Sequence, residues 1–488
     1  MLVPCPQRIT HQGSRFARPD RIRLHVDGDA PVTERDRLAF VDDALEVAGI
    51  VVAEDGLPLQ VRLAADTRPE GYRLALTEKQ WTLAAVDAAG IFYGLQTLLQ
   101  LLAFNRQIEC QEIEDWPRYA YRGFMVDMGR ATWPLPYLKR VVRILSRLKL
   151  NTLHLHLYDD HLCSLRFQNL PCGQENPYAI TVRELGELVI YAARRHVTIV
   201  PELEAWGHAG SIIQHFPALR GAPGMYEGTS FAVGEELYRL MSTMLDEVVP
   251  VLPVEAVVHL GLDEAGWQLL PSAPADYTPA RHVARMHEIL MQTGRRHNRR
   301  LQMRCWADHK GIDIPAELRR QIIIEPWQYF GRAADDIRAK VARHSGTDKQ
   351  PFIMGAGNSS LHLQGTFDAT RLWCQAAQDS PNVLGPNICL WESNNLPGQL
   401  VGLYGGAGYA WNPQWRTGDL GGEDWRGLVS VRMKRWQSFF ADAEDSALRA
   451  DRGAEVYRGC YVDGALAGKP VTPWSFLQKA SLPAGDPR

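Results

Sequence analysis

The sequence has no C-x-x-C pair, although it carries eight cysteines: Cys5, Cys110, Cys163, Cys172, Cys305, Cys374, Cys389 and Cys460. That excludes a zinc ribbon and a dithiol redox motif. Several cysteines sit in apolar strand-like runs, as in QMRCWAD and NICLWE, and read as buried free thiols in a reducing compartment. No stretch approaches the ~18 continuous apolar residues of a membrane helix. The opening MLVPCPQRITHQGSR holds no apolar segment of signal-peptide length, so a cytoplasmic protein without membrane association is expected. An excess of either charge is also missing. The 53 Lys and Arg nearly balance the 56 Asp and Glu, for a net charge of -3. With no basic arm or run, a nucleic-acid partner is not expected. Solenoid-period repeats and low-complexity tracts are absent as well.

What is present is a globular composition, 45% hydrophobic and 22% charged over 488 residues. At about 150 residues per domain that suggests two or three domains, although one α/β barrel can take well over ~250. The first 115 residues mix strand-like runs (RIRLHVD, YRLALTE, WTLAAVD) with one helix, AAGIFYGLQTLLQLL. A WPRY punctuation at 116–119 marks a boundary. From there strands and helices alternate. The strands are RGFMVD, NTLHLHL, VTIVPEL, AVVHLGL, LQMRCWA, QIIIEPW, PFIMGAG and NICLWE. Helix-length segments lie between most of them. PLPYLKRVVRILSRLKL has a proline near its start and an apolar face at helical spacing. TVRELGELVIYAARRH opens with a threonine N-cap and a glutamate three residues on. Eight such units predict a (β/α)8 TIM barrel over 116–445, preceded by a smaller α+β domain over 1–115 and followed by a tail over 446–488.

Active sites of such barrels lie at the C-terminal ends of the strands. Polar residues assigned to those ends are Arg122 and Asp127, His154, His156, Asp159 and Asp160, then Glu202, Glu204 and His208. His259, Asp263 and Glu264 follow, then Trp306 and Asp308, Trp327, and Trp391 and Glu392. Acids and tryptophans dominate. Carboxylates suit protonation of a leaving oxygen, and indole faces suit the C–H faces of a sugar. Phosphate chemistry would call for glycine-rich loops and basic residues. Asp263 and Glu264 are neighbours, and neighbours within a strand face opposite ways. They converge only if the strand is ending there, as the stop of the apolar run at Leu262 suggests. Crowding two acids raises the pKa of one, which suits a general acid. Alone, an Asp-Glu dipeptide is more often structural.

The ordered motifs carry more. HLGLDE at 259–264 resembles the H-x-G-x-D-E signature of glycoside hydrolase family 20, the β-N-acetylhexosaminidases. YRGFMVDMGR, NTLHLHLYDD, VPELEAWGHA and CLWES are similar to the family's first, second, third and late barrel segments. GYRLAL with DAAGIFYGLQTLLQLL resembles the domain that precedes its barrel. The likeness covers about residues 70–440 and is closer to the family's intracellular branches than to its secreted type.

The resemblance implies an exo-acting hydrolase that removes terminal β-linked GlcNAc or GalNAc with retention, without a cofactor or metal. Its substrate-assisted route is an exception to the usual retaining scheme. The 2-acetamido oxygen attacks the anomeric carbon and gives an oxazolinium intermediate. By position, Asp263 would orient the acetamide N–H, and Glu264 would protonate the glycosidic oxygen and then deprotonate water. Arg122, Asp159, His208, His259, Trp306, Trp327, Trp391 and Glu392 would bind the sugar. Four departures stand out. His161-Leu162-Cys163 follows Asp159-Asp160, where the family often has Gln-Gly-aromatic. Glu204 replaces the usual aspartate, Glu392 follows Trp391 one place early, and no Tyr-Leu-Asp segment appears near 351–370. Tyr329 and Tyr404 are the candidates for the missing tyrosine.

Two other readings remain. A metal-dependent barrel hydrolase could use His154, His156, His208, His259 and Asp308. An amino-sugar-binding protein could keep the scaffold without turnover. No motif separates the gluco from the galacto configuration, names the linkage, or sets oligomeric state.

Overall fold

The computed structural model describes residues 2–225, 228–307, 314–330, 333–359, 367–392 and 396–415. The expected boundary at 445, the tail from 446, Cys460 and Asp308 lie outside them.

The eight expected barrel strands form: Gly123–Asp127, Thr152–His156, Thr198–Glu202, Glu255–His259, Arg300–Trp306, Ile322–Glu325, Phe352–Ser359 and Val383–Leu390. Each pairs in parallel with the next, the eighth returns to the first, and the circle is closed. The two-residue strand Trp327–Gln328 extends the sixth against the seventh. Between the fifth and sixth strands the only helical segment among the described residues is a short turn, Ala316–Leu318.

The outer face of the strands packs on the helices through one large apolar cluster. The inside differs. Apolar side chains commonly fill such barrels, yet here His154, His156, Glu202, His259, Arg304, Glu325 and Asn387 are buried in the interior. The strand register sets them side by side: His156 opposite Glu202, Glu202 opposite His259, His259 opposite Arg304. These charges are held in a buried core by the ion pairs and hydrogen bonds that link most of them.

The N-terminal domain is a seven-stranded mixed sheet carrying two helices, Glu34–Ala48 and Ala88–Phe104. The first of these was not expected. Its stretch ERDRLAFVDDALEVA interrupts the apolar spacing with acids, but Thr33 and Asp36 form a full capping box and Gly49 ends it in the left-handed conformation. The second helix is buried along most of its length. A helix apolar all round belongs inside, and this one lies between its own sheet and the barrel.

Buried ion pairs join the two parts. Lys149 of the barrel lies 2.8 Å from Asp115, which also accepts from Tyr72 and from the Trp411 indole. Arg195 reaches Asp43 at 2.9 Å. No described helix is long and apolar enough to cross a membrane.

Candidate active site

The fourth strand stops at His259, and the next residues leave extended geometry at once. Gly261, Leu262 and Glu264 have φ of 59°, 76° and 46°. For the two non-glycine residues this is uncommon backbone, held by the surrounding structure. It releases the pleat, so Asp263 and Glu264 face one histidine. His208 Nε2 lies 3.6 Å from Asp263 Oδ2 and 3.3 Å from Glu264 Oε2. His208 and Glu392, with φ of 48° and 61°, are held in the same unusual region.

The other edge of His208 meets acids as well. Its Nδ1 is 3.4 Å from Asp159 Oδ2 and 3.7 Å from Asp160 Oδ2. Burial would deprotonate this ring, but Asp159, Asp160 and Glu264 prevail and keep it charged well above the ordinary histidine range. Burial likewise opposes ionisation of Asp159, yet Arg130 and His208 hold it well below the usual carboxylate range. Asp263 is displaced from its ordinary value. Burial pushes it up to about 6, helped by Glu264 and Glu202 and opposed by His208.

Arg130 is the residue that the strand-end assignment missed. It lies in the turn after the first strand, where Asp127 accepts from its backbone N–H at 2.9 Å and its guanidinium at 3.1 Å. It is 2.6 Å from Asp159 and stands over the Trp391 ring, 5.3 Å from the centroid. The backbone N–H of Glu392 donates to the same Asp127, which brings Glu392 into this group.

Arg122 is not there. It precedes the first strand and so lies at the opposite mouth of the barrel. It is fully buried, pairs with Glu70 at 2.9 Å, and donates to the Lys149 and Tyr119 carbonyls. The expected sugar-binding role of Arg122 is therefore corrected to a clamp between the domains. Strand direction could have separated the two arginines, because only a residue beyond Asp127 can reach the active mouth.

His259 is also corrected. It is fully buried one layer beneath the mouth, 2.9 Å from Glu202. Glu202 is the hub of that layer. It accepts from the Trp306 indole at 2.6 Å and lies 2.7 Å from His156 Nδ1 and 3.0 Å from His154 Nε2. Burial would raise Glu202, but these three histidines hold it well below its ordinary value. His156, opposed by burial but facing Glu202 and Asp159, is raised to about 10. His154, buried beside Arg304, falls to about 4.

The three tryptophans come together. Trp306 packs 5.7 Å from Trp391 with only 3% of its surface exposed, and Trp327 stacks on Tyr329 at 5.0 Å. Tyr329 also lies 6.2 Å from Trp391. Tyr404 sits in the apolar cluster outside the barrel wall, so of the two tyrosines only Tyr329 is at the site.

Some of these donors are close enough to share a cation, His154, Glu202 and His259 among them. They fit one poorly. Glu202 already has an indole and three imidazoles, and the Arg304 guanidinium lies 3.4 Å from His154 Nδ1. The arrangement is a hydrogen-bonded charge network beneath an acidic mouth.

Comparison with known proteins bears on the family and the fold. Residues 119–348 match the family model described as Glycosyl hydrolase family 20, catalytic domain, and residues 1–116 match Glycosyl hydrolase family 20, domain 2. A β-hexosaminidase of Porphyromonas gingivalis is 27% identical over 300 residues, 54% of this chain and 38% of that one. One of Akkermansia muciniphila is 32% identical over 233 residues, 42% of this chain and 47% of that one. The chain thus spans less than half the length of these curated relatives. Among solved structures, the β-N-acetylhexosaminidase of Bacteroides fragilis superposes with a TM-score of 0.70 at 21% identity, covering 90% of this chain and 96% of that one. An exo β-N-acetylglucosaminidase of Vibrio harveyi in complex with N-acetylglucosamine gives 0.71 at 18% identity, covering 90% and 77%. At these identities the structures establish the fold.

Proposed function

The chain belongs to glycosyl hydrolase family 20, and from that membership we propose that it is an exo-acting β-N-acetylhexosaminidase that works by substrate assistance. The observation that carries the reading is the convergence of Asp263 and Glu264 on His208, across from Arg130 and Asp159. One terminal sugar fits between two charged groups of different kinds. Arg130, flanked by Asp159 and Glu392, offers donors and acceptors to ring hydroxyls. Asp263 accepts the acetamide N–H and opposes the positive charge that develops as the acetamide oxygen attacks the anomeric carbon. The glycosidic C–O bond breaks as Glu264 gives its proton to the leaving oxygen. Water then attacks the anomeric carbon, the bond from that carbon to the acetamide oxygen breaks, and Glu264 takes the proton from the water. Trp391 and Trp327 present faces to the sugar, and Trp306 supports them from below. The relatives named β-hexosaminidase and the neighbour holding N-acetylglucosamine support this substrate class.

The test is release of p-nitrophenol from the β-N-acetylglucosaminide and β-N-acetylgalactosaminide, with and without chelator. Glu264→Gln is expected to lower kcat/KM by ~10²–10⁴-fold on alkyl glycosides and by less on aryl ones, whose leaving groups need little protonation. Chelator is expected to change nothing. Loss of turnover on chelation with recovery on zinc would establish the metal reading instead. Binding of N-acetylglucosamine without any turnover would establish the binder.

Tyr329 is the proposed partner of the acetamide oxygen. Tyr329→Phe is expected to lower kcat/KM by ~10–100-fold, the range for one hydrogen bond to a charged group, with most of the change in kcat. A change confined to KM would remove Tyr329 from the transition state.

A further inference from the structure

Glu204 is an interior acid that the mechanism leaves unused, and it differs from Glu202 and Glu325 in having no donor of its own. It follows the third strand, and its backbone is fixed. Leu203 N–H donates to His259 O at 2.9 Å, Ala205 N–H to Leu260 O at 3.1 Å, and the Tyr158 hydroxyl to Glu204 O at 2.7 Å. The side chain is fully buried, yet neither carboxyl oxygen accepts a hydrogen bond from any described residue. His156 Nδ1, at 3.7 Å, is the nearest cationic atom, but that nitrogen is committed to Glu202 at 2.7 Å. The head of Glu204 lies against Gly261, where a Cβ would fall only 1.6 Å from Oε2. Gly261 stands two residues before Asp263, whose Oδ1 is also buried without a hydrogen bond.

The donors of this layer are taken by Glu202, Glu325 and Asp159. A buried carboxylate with no donor is unstable, whereas a buried carboxylic acid needs only one acceptor. Burial and the neighbouring Asp263 and Glu202, the second also its side-chain hydrogen-bond partner, push Glu204 well above the ordinary carboxylate range against the pull of His208.

We infer that Glu204 is a positioning residue for Asp263, a neutral carboxylic acid whose O–H is given to the carboxylates it faces, Glu202 and Asp263, so that Asp263 stays ionised at the pH of catalysis. The longer side chain, in place of the usual aspartate, brings that proton up against the Gly261 turn. The groups facing the pocket are His156, Glu202, His208, Asp263 and the Tyr329 phenol, with Glu264 beyond Asp263. The inference rests on the proposed role of Asp263.

The test compares Glu204→Gln, which keeps shape, neutrality and an N–H donor, with Glu204→Met, which keeps length but donates nothing. On p-nitrophenyl β-N-acetylglucosaminide, Glu204→Gln is expected to hold kcat/KM within ~3-fold at pH 7 with its acid limb in place. Glu204→Met is expected to move that limb up by ~1 pH unit, the effect of losing a donor to a carboxylate. A structural role alone would lower both variants at every pH without moving the limb, and that result overturns the inference. A second measurement needs no turnover and no folded Met variant. Wild-type Glu204 keeps its proton when folded and loses it when unfolded, so it makes stability fall as pH rises above ~4.3. The pH dependence of the unfolding temperature is expected to be flatter in Glu204→Gln. Parallel curves would overturn the inference even if the chain proves to be a binder. A flatter curve without wild-type turnover would uphold the neutral acid and remove only its catalytic use.

Discussion

Asp263→Asn is expected to lose activity and gain thermal stability in the same protein. The loss follows from the proposed role: a neutral amide cannot balance the charge that develops on the acetamide, and removal of such a group lowers kcat by ~10²–10³-fold. The gain follows from burial. The folded state pushes Asp263 from an ordinary value of 3.8 up to about 6. Between those values the unfolded chain has released the proton while the folded protein still holds it. Stability therefore falls as pH rises through that window. Above it the full deficit of about two pKa units remains, ~2–3 kcal/mol at pH 7. The amide does not ionise and escapes this cost. Calorimetry at pH 7 should give the variant the higher unfolding temperature, and the difference should vanish near pH 3.5. Equal midpoints at pH 7 would mean that Asp263 is not held in the environment described. Such an exchange of stability for function is expected where a site must hold a charge out of water.

The two arginines flanking the first strand are expected to fail in different ways. Arg130→Leu removes the cation between Asp127 and Asp159 at the active mouth. It should lower kcat/KM by ~10²–10³-fold, as truncation of a buried, hydrogen-bonded charge does. It should also move the acid limb upward, because Asp159 loses the guanidinium that chiefly holds it ionised. Arg122→Leu touches no part of the mouth. It strips the Glu70 carboxylate and the Lys149 and Tyr119 carbonyls of their donor. The expected result is destabilisation of ~3–5 kcal/mol, with the kinetic constants of the remaining folded protein within ~3-fold of wild type. Kinetics and urea unfolding on both variants decide the matter. Impaired kinetics with unchanged stability in Arg122→Leu would restore the role first expected of it.

These two cases mark the limit of what could be read from the chain. The eight strands were legible because each apolar run is long enough to span a buried sheet and is separated from the next by turn or helix signals. Asp263 and Glu264 were legible as a pair because the end of an apolar run is a local property. The capped helix Glu34–Ala48 was not read, since its acids hide the face that packs. Tyr329 and Tyr404 were indistinguishable in sequence, although one meets the aromatic cluster and the other lies outside the wall.

By itself, the sequence determined the order of the strands, the barrel with its preceding domain, and the two adjacent acids at the end of the fourth strand. All of these depend on periodicity and covalent neighbourhood. The tertiary structure alone decided which arginine reaches the mouth, which histidines support rather than touch it, and how far Asp263 is displaced from its ordinary value. Those outcomes depend on strand direction and on the sharing of a few buried donors among carboxylates that stand far apart in the chain. Glu202 takes the imidazoles and an indole, and Glu204, two residues away, is pushed well above the ordinary carboxylate range.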